Sequence, residues 1–297
     1  MPAATILLAG ASGDLGGRIA RALVLRGATV RALTRPGASA EKLDRLTSLG
    51  LTVVEADYDD AEALQRACTG VDCVVSAVSG LRPVIVGAQT QLLHAAVAAG
   101  VPRFIPSDYS ADYRDIPAGS NRNLEQRREF SRRLDQAPIR ATSILSGAFA
   151  DMLTGAAPLI LFKRNRVLYY HDADQLMDFT TKDDTAAYTA DAALDPEAPR
   201  FLEVAGDSVS ARGLAQVMTE LSGDRYRVTY LGGLRSLRLL VRISKLASRK
   251  PDELYPVWQG MQYFDSMFSG DAKLGDTAND RYGDRRWTSA KEVLAHR

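Results

Sequence analysis

Six short apolar runs alternate with five amphipathic ones over the first half of the chain. "TILLAG", "ATVRALT", "LTVVEAD", "DCVVSAVS", "RFIPSDY" and "IRATSILSGAF" read as strands. The stretches from Asp14 to Arg26, "SAEKLDRLTSLG", "DDAEALQRACTG", Pro83 to Ala99 and "NLEQRREFSRRLDQ" read as helices. Strands that are apolar along their whole length are buried on both faces, and strict turn-taking with helices means a parallel sheet covered by helices on both sides. The expected fold class is therefore α/β, a doubly wound parallel sheet. Right-handed crossovers then gather the carboxyl ends of the strands along one edge, where such sheets bind ligands.

After residue 155 the alternation loosens. "RVLYYHD" and "FLEVAG" look like strands, "TKDDTAAYTADAAL" and "SARGLAQVMTELSG" like helices capped by Asp183 or Asp184 and by Ser208 or Ser210. The pattern from Arg235 to Phe268 is helical and rich in apolar and aromatic residues, and a short helix closes the sequence. We expect a nucleotide-binding domain over 1–155 and a smaller, mostly helical substrate region over 156–297. That region would pack on the sheet edge, and some of its strands could rejoin the main sheet.

Composition excludes several functions. With 297 residues, 46% of them hydrophobic, the chain can bury a sizeable core. Lys plus Arg (37) balances Asp plus Glu (36), so no global field favours nucleic acid or an anionic membrane. Cys68 and Cys73 alone suggest neither a disulfide framework nor a metal site. No leader pattern opens the sequence and no apolar run approaches the roughly 20 residues of a bilayer span, so a cytoplasmic setting is expected.

Gly10, Gly13 and Gly16 stand between the first strand and the first helix, in "GASGDLGGR". There one glycine makes the turn, one lets the backbone approach a pyrophosphate, and one packs helix on strand. Ser12, Asp14 and Leu15 share that loop, and the pyrophosphate would meet the N–H groups of the helix start. The second strand ends "LTRPG", with no carboxylate between Asp14 and Glu41 to hold a ribose 2′-hydroxyl. Arg35 in that place, with Lys42 at the next helix, suits a 2′-phosphate, so NADP(H) is expected rather than NAD. Solvated surface roles for Arg35 and Lys42 are the plain alternative.

These segments resemble the NmrA-like branch of the atypical short-chain dehydrogenases, close to isoflavone and phenylcoumaran benzylic ether reductases. The likeness rests on "GASGDLGGR", "LTRPG" with its downstream lysine, "RFIPSDYSADY", "LSGAF" and "NDRYGDRRWTSAKEVL". It implies a Rossmann-type fold and NADPH bound in extended form. It further implies a nicotinamide near Pro106, Ser107 and Asp108 and near Gly147, Ala148 and Phe149, and an adenine edge at Asp57 and Tyr58. Caps at Asp59 or Asp60 explain the acids equally well. Ala77, Val78 and Ser79 are small enough to let a cofactor pass the fourth strand, as any tight strand end would be.

The catalytic position departs from the family. No tyrosine has a lysine four residues on, and the lysine that the resemblance implies in the helix after the fifth strand is Arg127 here. Arginine keeps its charge and is a poor proton donor, though it stabilises an oxyanion. Tyr109, Tyr113 and Tyr169 are then candidates to pass the proton. The expected function is an NADP(H)-dependent reductase of the isoflavone-reductase type, acting on a small aromatic or conjugated carbonyl or ether compound. The alternative is a catalytically inactive NADP(H)-binding redox sensor with a protein partner. A homodimer is compatible with either. The segment Tyr255 to Gly270 reads as helix core or as a lid over a flat substrate.

Overall fold

The computed structural model describes residues 3–249 and 252–297. The chain contributes three segments to each of two compact units. The first holds the chain up to Tyr109, Gln126–Ile144 and Thr185–Leu202; the second holds Ser110–Glu125, Leu145–Asp184 and Glu203–Arg297.

The first unit is built on a parallel sheet of six strands: β1 (Thr5–Ala9), β2 (Thr29–Thr34), β3 (Thr52–Glu55), β4 (Cys73–Ser76), β5 (Arg103–Ile105) and β6 (Arg140–Ala141). Their order is β3-β2-β1-β4-β5-β6, so the topology reverses between β1 and β4, the place where such sheets open a crevice. The connecting helices are α1 (Asp14–Leu25), α2 (Ala40–Ser48), α3 (Ala61–Cys68), α4 (Gln89–Ala98) and α5 (Arg122–Asp135). The expected doubly wound α/β sheet is the observed fold.

Central strands are buried outright, Ile6, Leu7 and Leu8 of β1 and Val74 and Val75 of β4 having no exposed surface, as full coverage on both faces requires. Leu64, Leu92, Phe104 and Phe130 fill one layer beside them. The expected continuous helix from Pro83 opens instead as a π-helical segment, Pro83–Ala88, before α4 begins. Ser39 and Asp60 cap α2 and α3 by accepting the N–H groups of Lys42 and Ala63. Helix α6 (Lys182–Leu194) starts on Thr181 rather than on Asp183 or Asp184, since the Thr181 hydroxyl accepts the Asp184 N–H at 3.0 Å. At its other end the buried Arg103 donates to the Ala193 and Ala192 carbonyls, a cation placed where the helix dipole favours one.

The expected sixth strand is three separate pieces. β6 adds two residues to the sheet, β7 (Ser143–Leu145) pairs with β12 (Phe201–Glu203), and β8 (Ala148–Phe149) runs parallel to β11 (Met177–Thr180). In the second unit, β11 also pairs with β13 (Asp207–Val209), and β10 (Arg166–Tyr169) lies between β9 (Ile160–Leu161) and β14 (Arg227–Tyr230). Helix α7 (Ala211–Ser222), capped by Ser210, packs Leu214 and Met218 into a core shared with Val167, Phe179 and Phe268. The long helical stretch is two helices, α8 (Leu234–Ala247) and α9 (Val257–Phe268), with Lys250 and Pro251 outside the described residues. A final helix, α10 (Ala290–Ala295), opens with a capping box of Ser289 and Glu292.

Candidate functional site

The turn from β1 into α1 leaves no room for side chains. Gly10 has φ +86°, and a Cβ there would sit 2.5 Å from the Ala77 carbonyl oxygen. A Cβ on Gly16 would lie 2.1 Å from the carbonyl oxygen of Gly10. These two residues are therefore glycine for reasons of packing, and together they draw loop, helix and the end of β4 tightly together. Gly13, at the helix start, is exposed, and no side chain caps α1. A helix N-terminus with unfilled N–H groups and bare backbone in front of it is the arrangement that holds a pyrophosphate. The residues present thus fit a dinucleotide. Asp14 is committed elsewhere: its carboxylate accepts from the Arg18 Nε at 2.9 Å.

Two further strand ends frame this loop. Arg35 is exposed just beyond β2, close enough to Tyr58 for its charge to bear on the phenol, although burial outweighs it and pushes the Tyr58 pKa up to about 12. Asp57 is exposed, and its carboxylate accepts the Asp59 N–H in a local turn, while Asp60 is the cap of α3. Ser12 of this loop lines a shallow pocket with Ser39, Glu41, Lys42 and Arg45. Arg45 closes it by donating to the Ser12 carbonyl at 3.1 Å. Sequence reading missed Arg45. It stands one helical turn beyond Lys42, on the same face of α2, and that spacing is the signal that could have found it.

After β4, Ala77 and Val78 are half-buried and Ser79 is exposed. The Ser107 hydroxyl donates to the Val78 carbonyl at 2.7 Å, and its N–H donates to the Gln89 side chain at 2.9 Å. Pro106, Ser107 and Asp108 are buried, so the ends of β4 and β5 are pinned together by polar bonds inside the unit. Gln89 is the second residue missed. It is 1% exposed in an apolar helix, and its amide also donates to the Ile85 carbonyl.

Arg127 meets this same segment. Its Nε donates to the Asp108 carbonyl at 2.8 Å, and the side chain is half-buried. The structure therefore brings the arginine of α5 to the end of β5. Tyr109 is placed differently. It takes a left-handed φ of +23°, is 6% exposed, and its hydroxyl lies buried against Thr189 with no partner of hydrogen-bonding geometry. Burial pushes its pKa up, which holds the phenol neutral.

The remaining sequence candidates belong to the second unit. A Cβ on Gly147 would lie 2.3 Å from the Asp178 carbonyl oxygen, and Ala148 and Phe149 pair with Phe179 and Thr180. Asp178 is buried and accepts from Lys273 Nζ at 2.5 Å and from the Leu274 N–H at 2.8 Å, so it fixes this turn. Tyr113 is 1% exposed. Tyr169 stacks on Tyr230 with ring centroids 5.4 Å apart. In α9, Trp258 and Phe268 are buried, and Met261, Phe264 and Met267 pack on the unit's core.

Comparison with known proteins identifies the family and the fold. The pattern of the NmrA-like family matches residues 2–264. The chain belongs to that family. Among other NmrA-like relatives, pinoresinol reductase 2 from Arabidopsis thaliana is 31% identical over 246 residues, 77% of each chain. A solved structure described as AtPrR2 with NADP+ and (+)pinoresinol superimposes with a TM-score of 0.82 at 26% identity, covering 100% of this chain and 99% of that one. The crystal structure of an isoflavone reductase has a TM-score of 0.84 at 23% identity, with 99% of each chain covered, and attests the fold. This NmrA-like chain is an oxidoreductase.

Proposed function

We propose that the chain is an NADP(H)-dependent reductase of a small aromatic or conjugated carbonyl or ether compound. The glycine cradle at the head of α1 carries the reading, because Gly10 and Gly16 have no room for a Cβ. The relatives support it, one being named a pinoresinol reductase and one solved with NADP+. Bound NADPH supplies a hydride from its nicotinamide C4.

The chain's own groups do the rest. The start of α1 holds the pyrophosphate, and Arg35 and Lys42 take the 2′-phosphate, the charge contrast that selects NADPH over NADH. Ser107 fixes the end of β5 against Val78 and so shapes the floor of the site. Arg127, anchored on the Asp108 carbonyl, stabilises negative charge on a substrate oxygen as hydride arrives. Its guanidinium keeps its own protons, so solvent completes the reduction by protonating that oxygen.

A second reading is an NADP(H)-binding sensor without turnover, favoured by an arginine at the lysine position and a buried, neutral Tyr109. The test is calorimetric titration with NADPH and NADH, run beside loss of reduced-nicotinamide absorbance against aromatic enones, quinones, aldehydes and benzylic ethers. Turnover that falls about 10²-fold or more in Arg127→Ala, at unchanged NADPH affinity, supports the reductase. NADPH binding without turnover of any of these classes supports the sensor. A preference for NADH, or no binding, overturns both.

A further inference from the structure

Helix α8 buries one side chain, Leu237, and leaves Leu239, Leu240, Ile243 and Leu246 at 57%, 43%, 54% and 89% exposure. Its charged residues are Arg235, Arg238, Arg242 and Lys245, and no Asp or Glu occurs between Leu234 and Arg249. At about 100° per residue, the four cations form a row about 80–160° around the axis from Leu237, and the exposed apolar residues fill about 180–300°. Two stripes, one cationic and one apolar, thus run side by side along the solvent face. The overall charge balance of the chain conceals this local excess.

The cationic row borders α9. Arg238 donates from Nε to both carboxylate oxygens of Asp265 at 3.0 Å, and Lys245 Nζ lies 5.3 Å from the Trp258 ring. Arg235 and Arg242 are exposed. Tyr255 and Val257, at the start of α9, are 60% and 71% exposed and enlarge the apolar surface. An apolar area of this kind on a folded chain marks a contact surface.

The charge says what covers it. A second copy docked α8 to α8 would bring two cationic rows together, which costs free energy. An anionic bilayer surface offers what both stripes need: acyl chains for the leucines and isoleucine, and lipid headgroups for guanidinium and ammonium groups on long apolar stems. The geometry points to α8 as a helix that seats this protein on anionic membrane surfaces, lying in the interface plane. Among the described residues no helix is long and apolar enough to cross a membrane, and surface seating requires none. Position on a membrane would bring the enzyme to apolar substrates dissolved in lipid. That consequence rests on the reductase reading; the seating itself does not.

The test is co-sedimentation of the full chain with vesicles of phosphatidylcholine, alone and mixed with phosphatidylglycerol. Binding to the mixed vesicles, absent from pure phosphatidylcholine and lost in high salt, is the expected result. The double variant Arg235→Gln/Arg242→Gln should bind about thirtyfold more weakly, from about fivefold per cation. The triple variant Leu239→Ser/Ile243→Ser/Leu246→Ser should not sediment. Because all five side chains are exposed, circular dichroism and NADPH titration should match the parent, which separates this result from any failure of the cofactor reading. No sedimentation of the parent, or equal binding to both vesicle types, overturns the proposal. So does a parent dimer in analytical ultracentrifugation that the triple variant converts to monomer, since the face would then belong to a second copy.

Discussion

Helices α1 and α8 begin alike and differ in everything around the start. Each has a glycine at its N-cap, Gly13 with φ −78° and ψ 170° and Gly233 with φ −81° and ψ 171°, and neither has a side-chain cap. At α1 the flanking glycines press on backbone: a Cβ on Gly16 meets the Gly10 carbonyl oxygen at 2.1 Å. At α8 a Cβ on Gly233 would meet only the Tyr230 hydroxyl, at 3.7 Å. Lys42 and Arg45, with Glu41, line the pocket at Ser12 just before the first start, whereas the Ser236 hydroxyl donates to the Gly233 carbonyl at the second. A glycine and an open helix start are thus common property. Backbone crowding and two nearby cations are what set one of them apart.

That contrast can be broken most sharply at the glycines. Gly16→Ala should destabilise the fold by about 3 kcal/mol or abolish it, because the clash is with backbone that cannot rotate away. Gly233→Ala should stay within about 0.5 kcal/mol of the parent. Urea unfolding of the two variants measures the difference, and equal effects would remove crowding as the distinguishing property. Next in size is Arg35→Ser, which should weaken NADPH binding about tenfold to a hundredfold in calorimetry while leaving NADH unchanged, as loss of a charge-assisted bond predicts. A parallel loss for both cofactors would mean that Arg35 does not read the 2′-phosphate.

Smaller effects sharpen the picture. Ser210→Ala removes the cap that accepts the Gly213 N–H in α7 and should cost about 1 kcal/mol in urea unfolding, a helix start that depends on its own side chain and on no ligand. Arg45→Ala should weaken NADPH binding about threefold to tenfold, measured as for Arg35, since one bond to the Ser12 carbonyl is lost at an exposed position. An unchanged affinity would limit Arg45 to a structural clasp.

The sheet was legible because buried parallel strands such as Ile6–Ala9 and Cys73–Val75 are unbroken apolar runs. The second unit was less so, because its strands carry Arg166, Asp178 and Arg227, which mimic loops, and they do not alternate regularly with helices. The run from Ile139 to Phe149 looked like one strand since its residues, Arg140 apart, are apolar or small; partners changed along it, and only the pairing shows that. Of the site, the glycines and Arg127 could be read from spacing and resemblance. Gln89 could not, because it acts on the Ser107 N–H, which tertiary contact supplies, whereas Arg45 has a local signal in its spacing from Lys42. Nor could the left-handed turn at Tyr109, which sends its ring into the interior.

The three-segment make-up of each unit bears on how the protein is made. A nascent chain that has reached residue 155 still lacks Thr185–Leu202, and with it the carbonyls of Ala192 and Ala193 that Arg103 holds. At about 5–20 residues per second, the ribosome leaves β1 to β5 waiting seconds for their last helix. During that interval the apolar strands lack the third segment of their unit, and a stop codon placed near residue 155 would yield an incomplete first unit.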